Sequence, residues 1–261
     1  MGELLLGIDL GTGGVRALLV DGSGRVVASH SAEHPLSTPR PGWAEQDPES
    51  WWTATVAAVR GALAKSPGGD VAAIGLSGQM HGLVMCDAKG VPLRPCILWC
   101  DNRSAAQCEE AEARIGLDRL LELAGNRMLP GFTAPKILWC RAHEPDLERA
   151  AAIHLLPKDW LRHRLSGTFA TEVSDASGTL LFDCANRRFS EELCGLLEID
   201  PRTLPPCFES PEISSRLSRD AAAALGLAEG VPIAGGGGDQ AAQAVGTGIV
   251  REGPVSLTLG T

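Results

Sequence analysis

The chain is predicted to be an α/β domain, and three observations predict it. It opens with short apolar stretches separated by glycine-rich turns, continues with a well-signalled helix, and returns to an apolar strand entered from that helix. Strands, then helix, then strand is the alternation of an α/β fold. Residues 4–8 are apolar and bounded by glycine, which reads as a strand. Gly11, Thr12, Gly13 and Gly14 form a turn before a second strand, Val15 to Val20. Asp21 to Gly24 is a tight turn, and Arg25 to Ser29 a third strand. Asp47, Pro48 and Glu49 are a helix start with cap, first-turn proline and early acid. Trp52, Val56, Val59 and Leu63 then share one face, and Ser66 to Gly69 ends the helix. Val71 to Leu76 and Leu83 to Cys86 read as strands. Further helices are expected over 104–115, from Thr133 through Trp139, from Pro157 to Gly167, and around Ala221 to Ala224 with Gly226 as cap. Residues 201–211 are proline-rich and irregular. The strand Val231 to Ala234 runs into Gly235 to Gly238 and Asp239, and the Ala/Gly pattern over 241–248 suggests a tightly packed helix start.

The pattern of residues 4–12 recurs at Val255 to Thr261, an apolar run ending in Gly-Thr. A glycine turn after a strand lets backbone N–H groups approach an anion, and the Thr12 hydroxyl adds a donor. Asp9, at the end of that strand, is placed to hold Mg2+ beside phosphates, directly or through its waters. The competing reading is a plain hairpin with a solvated aspartate. The second copy favours phosphate, since phosphates can be clamped between two such turns.

Three other stretches carry chemistry. Gln79, Met80 and His81, flanked by glycines between two strands, offer donors, acceptors and a flexible apolar surface suited to a polyhydroxylated ligand. A loop whose histidine bonds nearby backbone fits equally. Trp99, Asp101 and Arg103 combine an aromatic face with planar hydrogen-bonding groups, as sugar sites do, although Asp101 or Asn102 can also simply cap the next helix. Asp239, after four glycines, is placed to take a proton from a hydroxyl attacking a phosphoryl group. The glycine spacing is not GxGxxG, which argues against a dinucleotide loop.

Composition bounds the partners. A net charge of −9 over 261 residues gives no global basic field for nucleic acid. No apolar run approaches the roughly 20 residues that span a bilayer, so no membrane partner is expected, and the N-terminus reads as a strand, not a secretory leader. The eight cysteines show neither CxxC pairs nor zinc spacing, which points to reduced thiols in a cytoplasmic protein. Oligomeric state is not readable, with a homodimer held open.

With these residues in view, the chain resembles the FGGY carbohydrate kinases, and within them the xylulokinase group. Gly7 to Arg16 is shared with the wider actin/Hsp70/sugar-kinase superfamily. Trp43 to Trp52, Gly78 to Gly82, Pro130 to Lys136, Pro157 to Asp159 and Ser174 to Thr179 are more specific. The resemblance implies a ribonuclease-H-like mixed sheet flanked by helices, D-xylulose as substrate, and ATP with Mg2+. It implies Met80 and His81 as the sugar-binding pair, joined by Gln79, Trp99, Asp101, Arg103 and Gln240. It implies Asp239 as the base, Asp9 as the acid near Mg2+, Gly11, Thr12, Gly13 and Arg16 as the first phosphate element, and Gly260 and Thr261 as the second. Gln240 stands where xylulokinases usually carry asparagine. On this resemblance, 1–250 is the sugar-binding domain and 251–261 the first strand of a truncated ATP-binding domain, so the chain alone is expected to be inactive. A kinase for another sugar or for gluconate remains open, as does a non-catalytic sugar-binding module, which the retention of Asp9 and Asp239 disfavours.

Overall fold

The computed structural model describes residues 2–66 and 68–257. Strands β1 (Leu4–Leu10), β2 (Gly14–Asp21) and β3 (Val26–Glu33) form an antiparallel meander. Strand β4 (Glu45–Gln46) leads into helix α1 (Pro48–Lys65), where the Asp47 carboxylate accepts from the Glu49 amide at 3.0 Å and caps the helix as expected. Helix α1 delivers the chain to β5 (Val71–Gly78), which lies parallel to β1 on the side away from β2.

The next stretch builds a second layer, of which the sequence predicts the strand ending at Cys86 and the helices over 104–115 and from Thr133, but not the shorter elements between and after them. It comprises β6 (Val84–Cys86), β7 (Cys96–Ile97), α2 (Ala105–Ile115), α3 (Leu117–Ala124), α4 (Thr133–His143), α5 (Pro145–Ala150) and β8 (Ile153–Leu155). Helix α6 (Pro157–Ser166) returns to the main sheet. Strand β9 (Thr171–Glu172), α7 (Val173–Ala176), a 3-10 turn at Ser177–Thr179, the β10 (Phe182–Asp183) and β11 (Arg188–Phe189) hairpin, and α8 (Glu191–Leu196) follow. The proline-rich stretch holds a 3-10 turn, Pro201–Thr203, and β12 (Cys207–Phe208). The chain then re-enters the sheet with β13 (Ile213–Arg216), α9 (Arg219–Leu225), β14 (Pro232–Ala234) and β15 (Gly237–Gly238), and α10 (Asp239–Gly246) follows at once.

The sheet order is β13-β14-β5-β1-β2-β3, with β15 also paired to β5. It is mixed, as expected of the fold class. Leu4, Leu6, Ile8 and Leu10 alternate inward along β1 and pack with Trp51, Ala58, Val59, Trp160 and Leu161 in one core. A second core lies among α2, α3, α4 and α8.

Two expectations are corrected. The buried stripe of α1 is Trp51, Ala54, Thr55, Ala58, Val59 and Ala62, so only Val59 of the expected face lies in it. Small alanines let the helix approach the sheet closely, and Trp52, Val56 and Leu63 pack at its flanks. Helix α10 buries no residue, so its Ala/Gly pattern borders an open groove instead of a close neighbour. Of the second Gly-Thr repeat, Val255 to Leu257 form no strand, and Gly260 and Thr261 lie outside the described residues. Among the described residues no helix is long and apolar enough to cross a membrane.

Candidate active site

Strand register brings the two acids together. Asp9 on β1 pairs with Ser77 of β5, and Ser77 pairs on its other side with Gly237 of β15. Asp239 begins α10 directly after β15, so β5 separates Asp9 from Asp239 at the carboxyl ends of parallel strands, where α/β sheets bind ligands. One carboxylate oxygen of Asp239 accepts from the Gln240 amide at 2.7 Å. Burial raises the Asp239 carboxyl above its ordinary value, the Gln240 amide opposes this, and the Asp9 charge pushes it further up. Gln240 itself is exposed. A groove of about 460 Å³ is lined by Asp9, Arg16, Ser77, Ser174, Gly236 and Gly237, with Leu18, Ala242 and Val245 as apolar walls.

Met80 and His81 follow the end of β5. His81 has a left-handed backbone, φ 67°, a conformation that non-glycine residues seldom adopt outside sites that hold them there. Its holders are identifiable. The His81 carbonyl accepts from the Thr133 hydroxyl at 3.1 Å and the Lys136 ammonium at 3.2 Å. Its ring Nδ1 bonds the Gly178 carbonyl at 2.9 Å and the ring packs edge-on against Phe132. Burial lowers the His81 imidazole, the Gly178 carbonyl opposes this, and the Lys136 charge lowers it further. A neutral ring that bonds a carbonyl through Nδ1 carries its proton there, which leaves Nε2 as an acceptor for a ligand hydroxyl. Lys136 also donates to the carbonyls of Gly131 and Phe132. Its burial pulls the ammonium down to about 7.

The first glycine turn is tied to the same place. The Trp99 indole donates to the Thr12 hydroxyl at 3.0 Å, and Gln46 donates to the Thr12 carbonyl at 2.7 Å. The Gly11 amide is taken by the Gly14 carbonyl at 3.0 Å and is not offered to a ligand. Arg16 stands opposite Asp9 in the β1–β2 register.

Three expected ligand contacts lie elsewhere. The side chains of Asp101 and Arg103 are 0% exposed and pair with each other at 2.8 Å. Asp101 accepts from the Ala44 amide, while Arg103 also pairs with Glu45 and lies 3.7 Å above the Trp43 ring. They brace the loop that presents Trp99 and leave no surface for a sugar. Gln79 is also buried, donating to Gln46, which in turn accepts from the Trp51 indole. Sequence reasoning missed Gln46, Lys136, Lys158 and Glu172 as parts of this framework. The signal available was a charged pair, Lys158 and Asp159, flanked by Leu155, Leu156, Trp160 and Leu161.

Three of the four glycines before Asp239 answer to packing more than to ligand approach. A Cβ at Gly235 would strike the Glu209 carbonyl, one at Gly236 the Leu76 carbonyl, and one at Gly238 would stand 2.7 Å from the Met80 sulfur. Gly236 also has φ 76°. Gly236→Ala therefore combines backbone strain with a clash against β5, and is expected to cost about 2 kcal/mol or more of stability in urea unfolding.

Comparisons with known proteins identify the family. The FGGY family of carbohydrate kinases, N-terminal domain, matches residues 4–246. The xylulose kinase of Escherichia coli K12 is 44% identical over 258 residues, 99% of this chain and 53% of that protein. The crystal structure of xylulose kinase from Rhodospirillum rubrum superposes with TM-score 0.91 at 30% identity, covering 95% of this chain and 51% of that one. The gluconate kinase structure from Lactobacillus acidophilus gives TM-score 0.86 at 26% identity, covering 92% and 48%. The chain thus spans about half the length of the curated relatives it matches. From its strand order to its match over 4–246, this chain belongs to the FGGY family of carbohydrate kinases, as its N-terminal domain.

Proposed function

We propose that this chain is the sugar-binding half of an ATP-dependent D-xylulose kinase, with Asp239 as the general base. The observation that carries the reading is the placement of Asp239, raised in pKa and beside Asp9, one residue beyond the Gly238 backbone that packs on Met80. In this reading the xylulose 5-hydroxyl gives its proton to the Asp239 carboxylate as its oxygen attacks the γ-phosphorus, and ADP leaves. A carboxyl raised above the usual range is a stronger base toward a hydroxyl. Neutral His81 and Met80 orient the sugar, and Trp99 closes one side through its bond to Thr12. The Thr12 and Gly13 amides meet the phosphates. Most of the acceleration is positioning and charge neutralisation, as in phosphoryl transfer generally.

Mg2+ fits the donor set. The described residues hold no cluster of three or more His, Cys, Asp or Glu side chains that would enclose an ion, while Asp9 presents a hard oxygen beside the phosphate turn. That suits an ion that keeps waters and takes its other ligands from phosphates. Asp9 would hold it, and it would supply charge neutralisation at the phosphate oxygens. The reading also assigns 1–250 to the sugar-binding lobe, with residues 251–261 and the relatives' unmatched half forming the ATP-binding lobe. Eight unpaired cysteines, five of them buried, suit a reducing cytoplasm.

A thermal-shift screen of this chain against D-xylulose, gluconate, glycerol and ribulose tests the substrate. Ligand at a hundredfold excess over Kd contributes about 2.7 kcal/mol, which corresponds to a rise of about 5 °C or more in a domain of this size. Xylulose is expected to give that rise and the others much less. A selective response to gluconate would move the reading to the second kinase activity, and silence with every ligand would overturn both.

A further inference from the structure

The glycine loop that delivers Asp239 has no side chains with which to hold itself. Its amides are held from outside. Gly235 donates to the Glu212 carbonyl at 2.7 Å, Gly236 to the Ser210 carbonyl at 2.9 Å, and Gly238 to the Ser174 hydroxyl at 3.1 Å. Arg162, fully buried, donates to the carbonyls of Ala234 and Gly235.

The Ser174 hydroxyl that accepts from the Gly238 amide is oriented by Glu172. This carboxylate is fully buried and accepts four hydrogen bonds, from the Ser174 amide, the Asp175 amide, the Ser174 hydroxyl and the Ser210 hydroxyl, all at 2.8–2.9 Å. An ionised carboxylate only accepts. The Ser174 hydroxyl proton must therefore point to Glu172, which leaves the oxygen lone pair for the Gly238 amide. Lys158 lies 3.7 Å from the same carboxylate and keeps it compensated in the interior.

We propose that Ser174, oriented by Glu172, is a positioning residue that fixes the Gly238 amide and thereby the carboxylate of Asp239. This rests on the reading of Asp239 as the base, yet the strut itself can be tested without turnover. The test compares wild-type, Ser174→Ala and Ser174→Thr proteins by residue-resolved amide exchange and by the carboxyl-carbon NMR signal of Asp239. In Ser174→Ala, exchange at Gly238 is expected to accelerate about tenfold, the factor carried by one hydrogen bond of ordinary net strength. The Asp239 signal should move with it, while exchange across β1 and β5 stays within about twofold, as expected for a local opening. Ser174→Thr, which keeps the hydroxyl, should return both signals toward wild type. Unchanged Gly238 exchange and an unmoved Asp239 signal in Ser174→Ala would overturn the proposal, as would acceleration spread evenly over the sheet. Where wild-type protein fails to respond to any sugar but Gly238 responds to Ser174→Ala, the kinase reading falls and the strut stands.

Discussion

Replacing Asp239 with asparagine is expected to lower sugar phosphorylation by about 10²–10⁴-fold, the range that a positioned general base contributes. The substitution keeps the shape of the side chain, and its oxygen can still accept from the Gln240 amide. What it removes is the ability to take the hydroxyl proton. In the proposed site Met80 and His81 hold the sugar without that proton, so sugar affinity should change little. The measurement is steady-state phosphorylation in a kinase of the relatives' full length carrying this half, with sugar affinity followed by calorimetry. Near-normal turnover would remove Asp239 from the chemistry, and lost affinity with normal turnover at saturation would make it a binding group. The raised carboxyl adds a pH signature. In the proposed role Asp239 acts as a base only when ionised, so the acid limb of kcat should lie above the ordinary carboxylate value of 3.8 and vanish in the variant.

The fold was largely legible because local patterns agreed with tertiary packing along the main sheet. The alternation of Leu4, Leu6, Ile8 and Leu10, the cap at Asp47 and the turn at Gly226 each specify their element without help from distant residues. The layer over 117–124, 145–150 and 191–196 was not read, since these helices are short and owe their burial to residues far away in sequence. The site divides along the same line. Asp9, Thr12, Met80, His81 and Asp239 sit at strand ends marked by glycine, and strand ends are readable. Whether a polar residue beside them faces ligand or core is decided by tertiary packing. Asp101 and Arg103 carry the composition of a sugar site, yet Trp43 and Glu45, some sixty residues away, draw them inward. Gln79 is drawn in by Gln46 in the same manner. Conversely Lys136 and Ser174 fall within stretches that carry the family resemblance, yet their holding of His81 and Gly238 is not readable there, because their partners are backbone atoms of distant segments.

Lys158→Met is expected to be the most damaging single change outside the reacting groups. Lys158 is fully buried and pairs with Asp159 at 2.9 Å, Asp175 at 3.5 Å and Glu172 at 3.7 Å, with Arg162 as the other buried cation. Burial pushes the Asp175 carboxyl well above the carboxylate range, against the pull of Lys158, and so favours its neutral form. Lys158 and Arg162 then stand against the side chains of Asp159 and Glu172. Methionine fills the space but leaves one buried anion uncompensated, and breaking a buried pair in this way costs about 3–5 kcal/mol. The loss should depend on pH with a definite sign. Without the cation, a buried acid gains stability by holding a proton, so its folded pKa rises above the unfolded value. The folded state then binds more protons, and stability falls as pH increases between those two values. Urea unfolding should show a larger deficit for Lys158→Met at pH 8 than at pH 5. Asp175→Asn, which exchanges one neutral group for another, should cost much less than Lys158→Met at both. Equal costs for the two variants would mean that Asp175 carries charge in the folded protein. A deficit for Lys158→Met that does not grow with pH would mean that the cluster relieves its charge by admitting water and not by taking up a proton.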